Sequence, residues 1–167
     1  DNWTLYARTL CPMGSTDPAC GFSDAGDSTT FHDLEAGKAY KLWEDGPTGY
    51  TQGTWDCTGG TLNDNNLTLG LDDDVTCTIT NDDQQAYITV TKKVINDNGG
   101  IALPDDFLLT LEGDAISSGT AVPVNPGTYT ADETLLSGYT FEGFRGGCAE
   151  GGDITVALGE SKTCTLT

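Results

Sequence analysis

The sequence predicts an all-β protein built of two tandem Greek-key β-sandwich modules. Three observations carry that expectation. No window places apolar residues at i, i+3, i+4 and i+7 as a helix would need, and Gly, Thr and Asp punctuate every segment. Short segments instead alternate apolar and polar residues with a period of two, between Gly, Asp and Asn turns. The two halves of the chain also repeat one another in register, as tandem modules do.

In chain order the predicted strands begin with Trp3 to Ala7, followed by a longer connection that carries Cys11 and Cys20. Ala39 to Trp43 and Tyr50 to Cys57 follow. Leu67 to Leu71 lies between Asn63-Asp64-Asn65-Asn66 and Asp72-Asp73-Asp74, and Val75 to Thr80 stops at Asn81-Asp82-Asp83. Tyr87 to Ile95 ends at Asn96-Asp97-Asn98, and Phe107 to Leu111 follows Asp105-Asp106. Thr128 to Asp132, Tyr139 to Phe144, Ile154 to Leu158 and Thr163 to Thr167 complete the set.

The 167 residues include 26 acidic and 7 basic ones, a formal net charge of -19. Such a charge repels phosphate backbones and anionic headgroups, so nucleic-acid binding and polybasic membrane anchoring are poor readings, and cations are the natural partners. No run approaches the roughly 20 apolar residues of a membrane span. Residue 1 is Asp, with no charged and apolar leader pattern behind it, which reads as a processed or excised piece. The cysteines at 11, 20, 57, 77, 148 and 164 form no CxxC pair and have one His beside them, which argues against zinc and for disulfides in an oxidising, extracellular compartment. Spacing alone leaves their connectivity open.

The repeat narrows it. Ala39-Tyr40 to Glu44, Gly49-Tyr50-Thr51, Gly53, Cys57, Leu71 and Thr76-Cys77-Thr78 match Thr128-Tyr129 to Glu133, Gly138-Tyr139-Thr140, Gly143, Cys148, Leu158 and Thr163-Cys164-Thr165. Equivalent cysteines then pair within their own modules, Cys57 with Cys77 and Cys148 with Cys164, which leaves Cys11 with Cys20. The modules are residues 1–81 and 82–167. Asp105 to Leu111 aligns with the chain start, so the strand Tyr87 to Ile95 has no counterpart before residue 1 and the first module lacks its first strand. A sandwich short of a strand leaves unpaired backbone groups and an open apolar groove. The chain is therefore expected either to be a window of a longer tandem array or to receive the strand from a neighbouring chain.

With "GKAYKLWEDGPTGY" at 37–50 and "PGTYTADETLLSGY" at 126–139, the sequence resembles the prealbumin-like, Cna-B or SpaA-type modules of bacterial surface proteins. The Thr76 to Asp83 stretch followed by "ITVTKKVINDNGG" at 88–100 is similar to the module junctions of their tandem arrays. The resemblance implies Ig-like or prealbumin-like sandwiches that extend stalks, pili or fibres. It also implies an intramolecular Lys-Asn isopeptide bond promoted by a buried Glu. That chemistry needs an apolar pocket, where a lysine can lose its proton and a carboxyl can keep one. By that resemblance Lys92 is the nucleophile, Glu133 or Glu44 the carboxyl and Asn81 the acceptor. Neither module holds all three. The ordinary alternative is a snorkelling Lys92, Glu residues that satisfy turn amides, and an Asn81 that ends a strand.

Asp72, Asp73, Asp74, Asp82, Asp83 and Asp97 gather hard oxygen ligands at strand ends, which makes calcium the candidate ion, although Asx residues are also ordinary turn formers. Asn2-Trp3-Thr4 and Asn66-Leu67-Thr68 match the N-glycosylation sequon. The Cys11 to Cys20 loop decorates the first module, and Trp3, Trp43, Trp55, Tyr40 and Tyr50 are either a sugar-stacking platform or, more ordinarily, core and cross-strand partners. His32 reads as a loop residue, and no phosphate loop, nucleophile elbow or catalytic carboxylate pair is found. The expected protein is no enzyme. It is a structural repeat unit of an extracellular stalk or self-assembling filament whose partners are copies of itself or adjacent repeats, with a glycan- or surface-binding adhesin as the alternative.

Overall fold

In the computed structural model, which describes residues 3–9, 20–26 and 30–167, strands turn alternate residues inward and tight turns join them. The chain divides into two units, Asp1–Asp82 and Asp83–Thr167.

Unit 1 contains β1 (Thr4–Arg8), β2 (Gly21–Ala25), β3 (Ala39–Asp45), β4 (Tyr50–Thr51), β5 (Trp55–Cys57), β6 (Thr61–Asn63), β7 (Asn66–Thr68) and β8 (Cys77–Ile79); the two-residue β9 (Asp82–Asp83) spans the division between the units. Five of them form an antiparallel sheet in the order β2-β1-β3-β7-β6, and β5 pairs with β8 in a separate two-stranded sheet. Ala7, Leu42, Trp55 and Leu67 form the buried centre, and Leu5, Phe22, Cys57, Cys77 and Ile79 pack around it only partly buried.

Unit 2 contains β10 (Ala86–Lys92), β11 (Leu109–Leu111), β12 (Asp114–Ile116), β13 (Ala121–Val124), β14 (Gly127–Glu133), β15 (Phe144–Gly146), β16 (Asp153–Val156) and β17 (Ser161–Leu166). Its two four-stranded sheets run β13-β10-β17-β15 and β12-β11-β14-β16. Ala86, Ile88 and Val90 of β10 meet Leu109, Leu111, Ala131, Ile154 and Val156 of the other sheet in one apolar core. β10 lies parallel to β17 with Val90 opposite Cys164 and Lys92 opposite Leu166. Parallel neighbours need a long crossover, and here the remaining strands of the unit supply it.

By the repeat, β1, β3, β5 and β8 correspond to β11, β14, β15 and β17. β10 has no corresponding strand among the described residues of unit 1. The expected strand Tyr50 to Cys57 is two strands broken at residues 52–54, because Gly53 comes so close to Thr80 that a Cβ there would sit 2.0 Å from the Thr80 carbonyl oxygen. Leu67 to Leu71 ends at Thr68: the Gly70 amide donates to Asp73 Oδ2 at 2.6 Å, and Asp72 adopts φ 61°, so the chain turns. Most of Tyr139 to Phe144 is a connection, in which the Tyr139 hydroxyl donates to Asn96 Oδ1 and accepts from the Ala102 amide. β2, β6, β9, β12 and β13 were not expected. β11 and β12 form a two-residue hairpin in which Glu112 and Gly113 both have positive φ, 53° and 86°, the geometry whose twist matches paired strands. A short 3-10 turn, Pro104–Asp106, precedes β11.

Cys57 is bonded to Cys77 directly across β5 and β8, and Cys148 to Cys164 of β17. Cys20 is also disulfide-bonded, and its expected partner Cys11 lies outside the described residues. The three tryptophans, Trp3, Trp43 and Trp55, all belong to unit 1, so their fluorescence reports that unit alone. Replacing Cys57 and Cys77 by Ser is expected to lower the unfolding free energy of unit 1 by about 3 kcal/mol. Urea titration followed by tryptophan emission checks this, and an unshifted midpoint would contradict it.

Candidate functional site

Lys92 closes β10 on its inward face, and Glu133 closes β14 on its own. Leu109 stands opposite Glu133 across the β11–β14 ladder, and Lys92 stands opposite Leu166 across β10–β17, so the strand ends bring the two charges into one apolar corner. Lys92 Nζ donates to Glu133 Oε1 at 2.9 Å and lies 2.7 Å from Oε2, and the two side chains are 3% and 4% exposed. The ammonium also sits 4.5 Å from the Phe107 ring centroid and 5.8 Å from that of Phe141. Ring faces attract a desolvated cation. Glu133 Oε2 is buried with the Lys92 ammonium 2.7 Å away and no second donor on it among the described residues.

Unit 1 shows what such a donor looks like. Glu44 occupies in β3 the position of Glu133 in β14, and its Oε2 accepts from Asn81 Nδ2 at 2.9 Å. Asn81 Oδ1 in turn accepts from the Gly53 amide at 3.3 Å, the close approach that demanded a glycine. The aromatic cover is repeated as well. Trp3 meets Tyr50 edge to face at 5.5 Å, and Phe107 meets Tyr139 in the same way at 5.3 Å. The lysine and a carboxylate are together in unit 2, and a carboxylate and the amide are together in unit 1; Lys92 and Asn81 belong to different units.

The strands around these groups differ in one respect. β17 is hydrogen-bonded on both sides, by β10 and β15, and its inward Cys164 and Leu166 are 0% exposed. β8 is hydrogen-bonded to β5 alone among the described residues, and the matching Cys77 and Ile79 are only half-buried.

Of the acidic candidates, Asp72, Asp73, Asp74, Asp82, Asp83 and Asp97 are all exposed. Asp73 holds a turn amide and Asp97 Oδ1 accepts from Asn98 Nδ2 at 2.7 Å. Among the described residues no three His, Cys, Asp or Glu side chains converge as a metal would require. Asn66 is exposed at the start of β7, and Asn2 lies outside the described residues. The five aromatics named from sequence do not share one face: Tyr40 and Trp55 are buried, Trp3 pairs with Tyr50, and Trp43 stacks on Tyr6. His32 contacts Asp24 and stacks on Phe22. No helix among the described residues is long and apolar enough to cross a membrane.

Sequence reasoning missed Phe107 and Phe141 as walls of the lysine pocket, and Tyr6 as the partner of Trp43. The period-two phase of Trp3 to Ala7 held the second signal, since it turns Tyr6 away from Leu5 and Ala7.

A family model described as a prealbumin-like fold domain, of the SpaA type, matches residues 1–79 and again residues 83–166. No curated protein and no solved structure matches the chain significantly.

Removing one partner of a buried ion pair strands the other charge, whereas apolar replacement of both is often near neutral. Glu133→Ala is therefore expected to destabilise unit 2 by about 3–5 kcal/mol, and Lys92→Met with Glu133→Leu to recover most of that. Chemical denaturation followed by amide NMR of unit 2 checks both, and a Glu133→Ala loss below about 1 kcal/mol would contradict the desolvated pair.

Proposed function

Because the chain belongs to the SpaA-type prealbumin-like fold family over both of its halves, we propose that it is a structural repeat unit of an extracellular stalk or self-assembling filament, in which unit 1 is completed by a β-strand from outside residues 1–167. Modules of this family occur in pilus and other surface proteins and are structural rather than enzymatic. Two intramodule disulfides fit an oxidising extracellular setting.

The observation that carries the reading is the contrast between β8 and β17. Among the described residues, the same strand is enclosed on both sides in unit 2 and on one side in unit 1. A strand laid parallel to β8 would supply backbone partners and bury Cys77 and Ile79, as β10 does for Cys164 and Leu166. Each apolar side chain so enclosed contributes about 1.5–3 kcal/mol when burial is complete.

The incoming strand has a second task. If it follows β10, its last inward residue is a lysine that arrives at Glu44 and Asn81. The neutral amine attacks Asn81 Cγ, the bond from Cγ to Nδ2 breaks, ammonia leaves, and Glu44 carries the proton between them. The product is an amide cross-link that ties the donor strand to unit 1. Disulfides and such a bond together limit the length released when a module is pulled.

The test uses the chain and a synthetic peptide of residues 84–96, the β10 sequence with its flanks. Native mass spectrometry is expected to find a one-to-one complex, and denaturing mass spectrometry a fraction lighter than the sum by one ammonia. Peptide carrying Lys92→Arg is expected to bind without the covalent product. Absence of any complex would overturn strand completion, and a complex that never loses ammonia would remove the cross-link alone.

A further inference from the structure

The outer face of the large sheet in unit 1 differs from its counterpart in unit 2 at the same scaffold positions. Leu5 and Ala7 of β1 and Tyr40, Leu42 and Glu44 of β3 point inward, so Tyr6, Arg8, Lys41, Trp43 and Asp45 point outward. The register sets Tyr6 opposite Trp43, Arg8 opposite Lys41 and Thr4 opposite Asp45. In unit 2 the repeat puts Thr110 opposite Asp132 where Tyr6 faces Trp43, and Glu112 and Thr130 where unit 1 has Arg8 and Lys41. The fold therefore needs neither aromatic rings nor cations there.

The rings of Tyr6 and Trp43 stack 4.8 Å apart with planes 1° from parallel, and both remain partly exposed. Ser23 of β2 faces Tyr6 on one side; on the other, β7 begins at Asn66, opposite Lys41, and the Asn65 carbonyl accepts from the Leu42 amide, so no residue of β7 itself stands opposite Trp43. Desolvation first, then the hydrogen bond and charge of Asp45, hold the Tyr6 phenol above its ordinary pKa.

The cations are the less expected part. The chain has 7 basic residues against 26 acidic ones, yet two of the basic ones face each other across neighbouring strands. Like charges set directly opposite repel. Among the described residues no carboxylate pairs with Arg8 or Lys41, and Arg8 Nε is buried without a hydrogen-bond partner. A cation pair that makes no salt bridge among the described residues, beside an aromatic stack and with Asp45 at its far end, has the complement of a sugar ring that bears a carboxylate. The apolar C–H face of the sugar lies on an aromatic ring, and the carboxylate takes the guanidinium fork and the ammonium.

We infer that the Tyr6–Trp43–Arg8–Lys41 face of unit 1 binds an acidic oligosaccharide of the uronic-acid class. The overall negative charge opposes long polyanions, so short oligouronides bind best and binding weakens as salt is added.

Isothermal titration calorimetry of the full chain with a short oligogalacturonate tests this, beside a neutral oligosaccharide of equal length and polyglutamate. Saturable binding is expected for the oligouronide alone. Arg8→Gln and Lys41→Gln are each expected to weaken it about tenfold. Exchanging Tyr6→Thr together with Trp43→Asp installs residues that unit 2 already tolerates at these positions and is expected to abolish binding, with the urea midpoint showing that the unit still folds. No saturable heat with the oligouronide would overturn the inference. So would equal binding of the neutral sugar, equal binding of polyglutamate, or binding that survives the exchange.

Discussion

The parallel pairing of β10 with β17 is the interaction on which the rest of unit 2 depends. It satisfies the free edge of the last strand, and it lowers Ile88 and Val90 onto the core that Leu109, Ala131 and Ile154 offer from the facing sheet. It also fixes the place of Lys92, since the residue that ends the inward row of β10 must arrive where β14 ends in Glu133. Unit 1 repeats the same frame without that strand among its described residues, and its core is thinner for that reason: Cys77 and Ile79 stay half-exposed where Cys164 and Leu166 are sealed.

Two polar sites follow from this one difference. The Lys92–Glu133 pair is enclosed by apolar surroundings, with Phe107 beside the ammonium, and it is unlike a surface ion pair in what it costs to break. The Glu44–Asn81 pair occupies the corresponding corner of unit 1 and is only partly buried. The disulfide between Cys57 and Cys77 ties β5 and β8 together at one end of their short antiparallel ladder.

Much of this was legible in the residues. Alternation located the long strands, because Ile88, Val90 and Lys92, or Tyr40 and Leu42, are fixed by a period of two. The repeat selected the pairing of Cys57 with Cys77 and of Cys148 with Cys164. Short strands escaped. β12 holds only Asp114, Ala115 and Ile116, and what makes it a strand is the pair of positive-φ residues before it rather than its own composition. Tyr50 to Cys57 reads as one strand because alternation is blind to the close approach of Thr80 to Gly53. The pocket walls Phe107 and Phe141 lie far from Lys92 in sequence, and only the sheet register brings them to it. The expectation of one aromatic platform fails for Tyr40 and Trp55, which the core takes up, while Trp43 stacks on Tyr6.

The difference between the two equivalent strands is directly measurable by amide hydrogen exchange on the free chain, residue by residue, in β8 and β17. Protection is expected at each amide from Cys164 to Leu166 of β17, which β10 and β15 enclose, and in β8 only at the amides that face β5, with the alternate ones exchanging close to the rate of unstructured peptide. Uniform protection along β8, equal to that of β17, would contradict it: the edge would already be paired, and unit 1 would have no place for another strand.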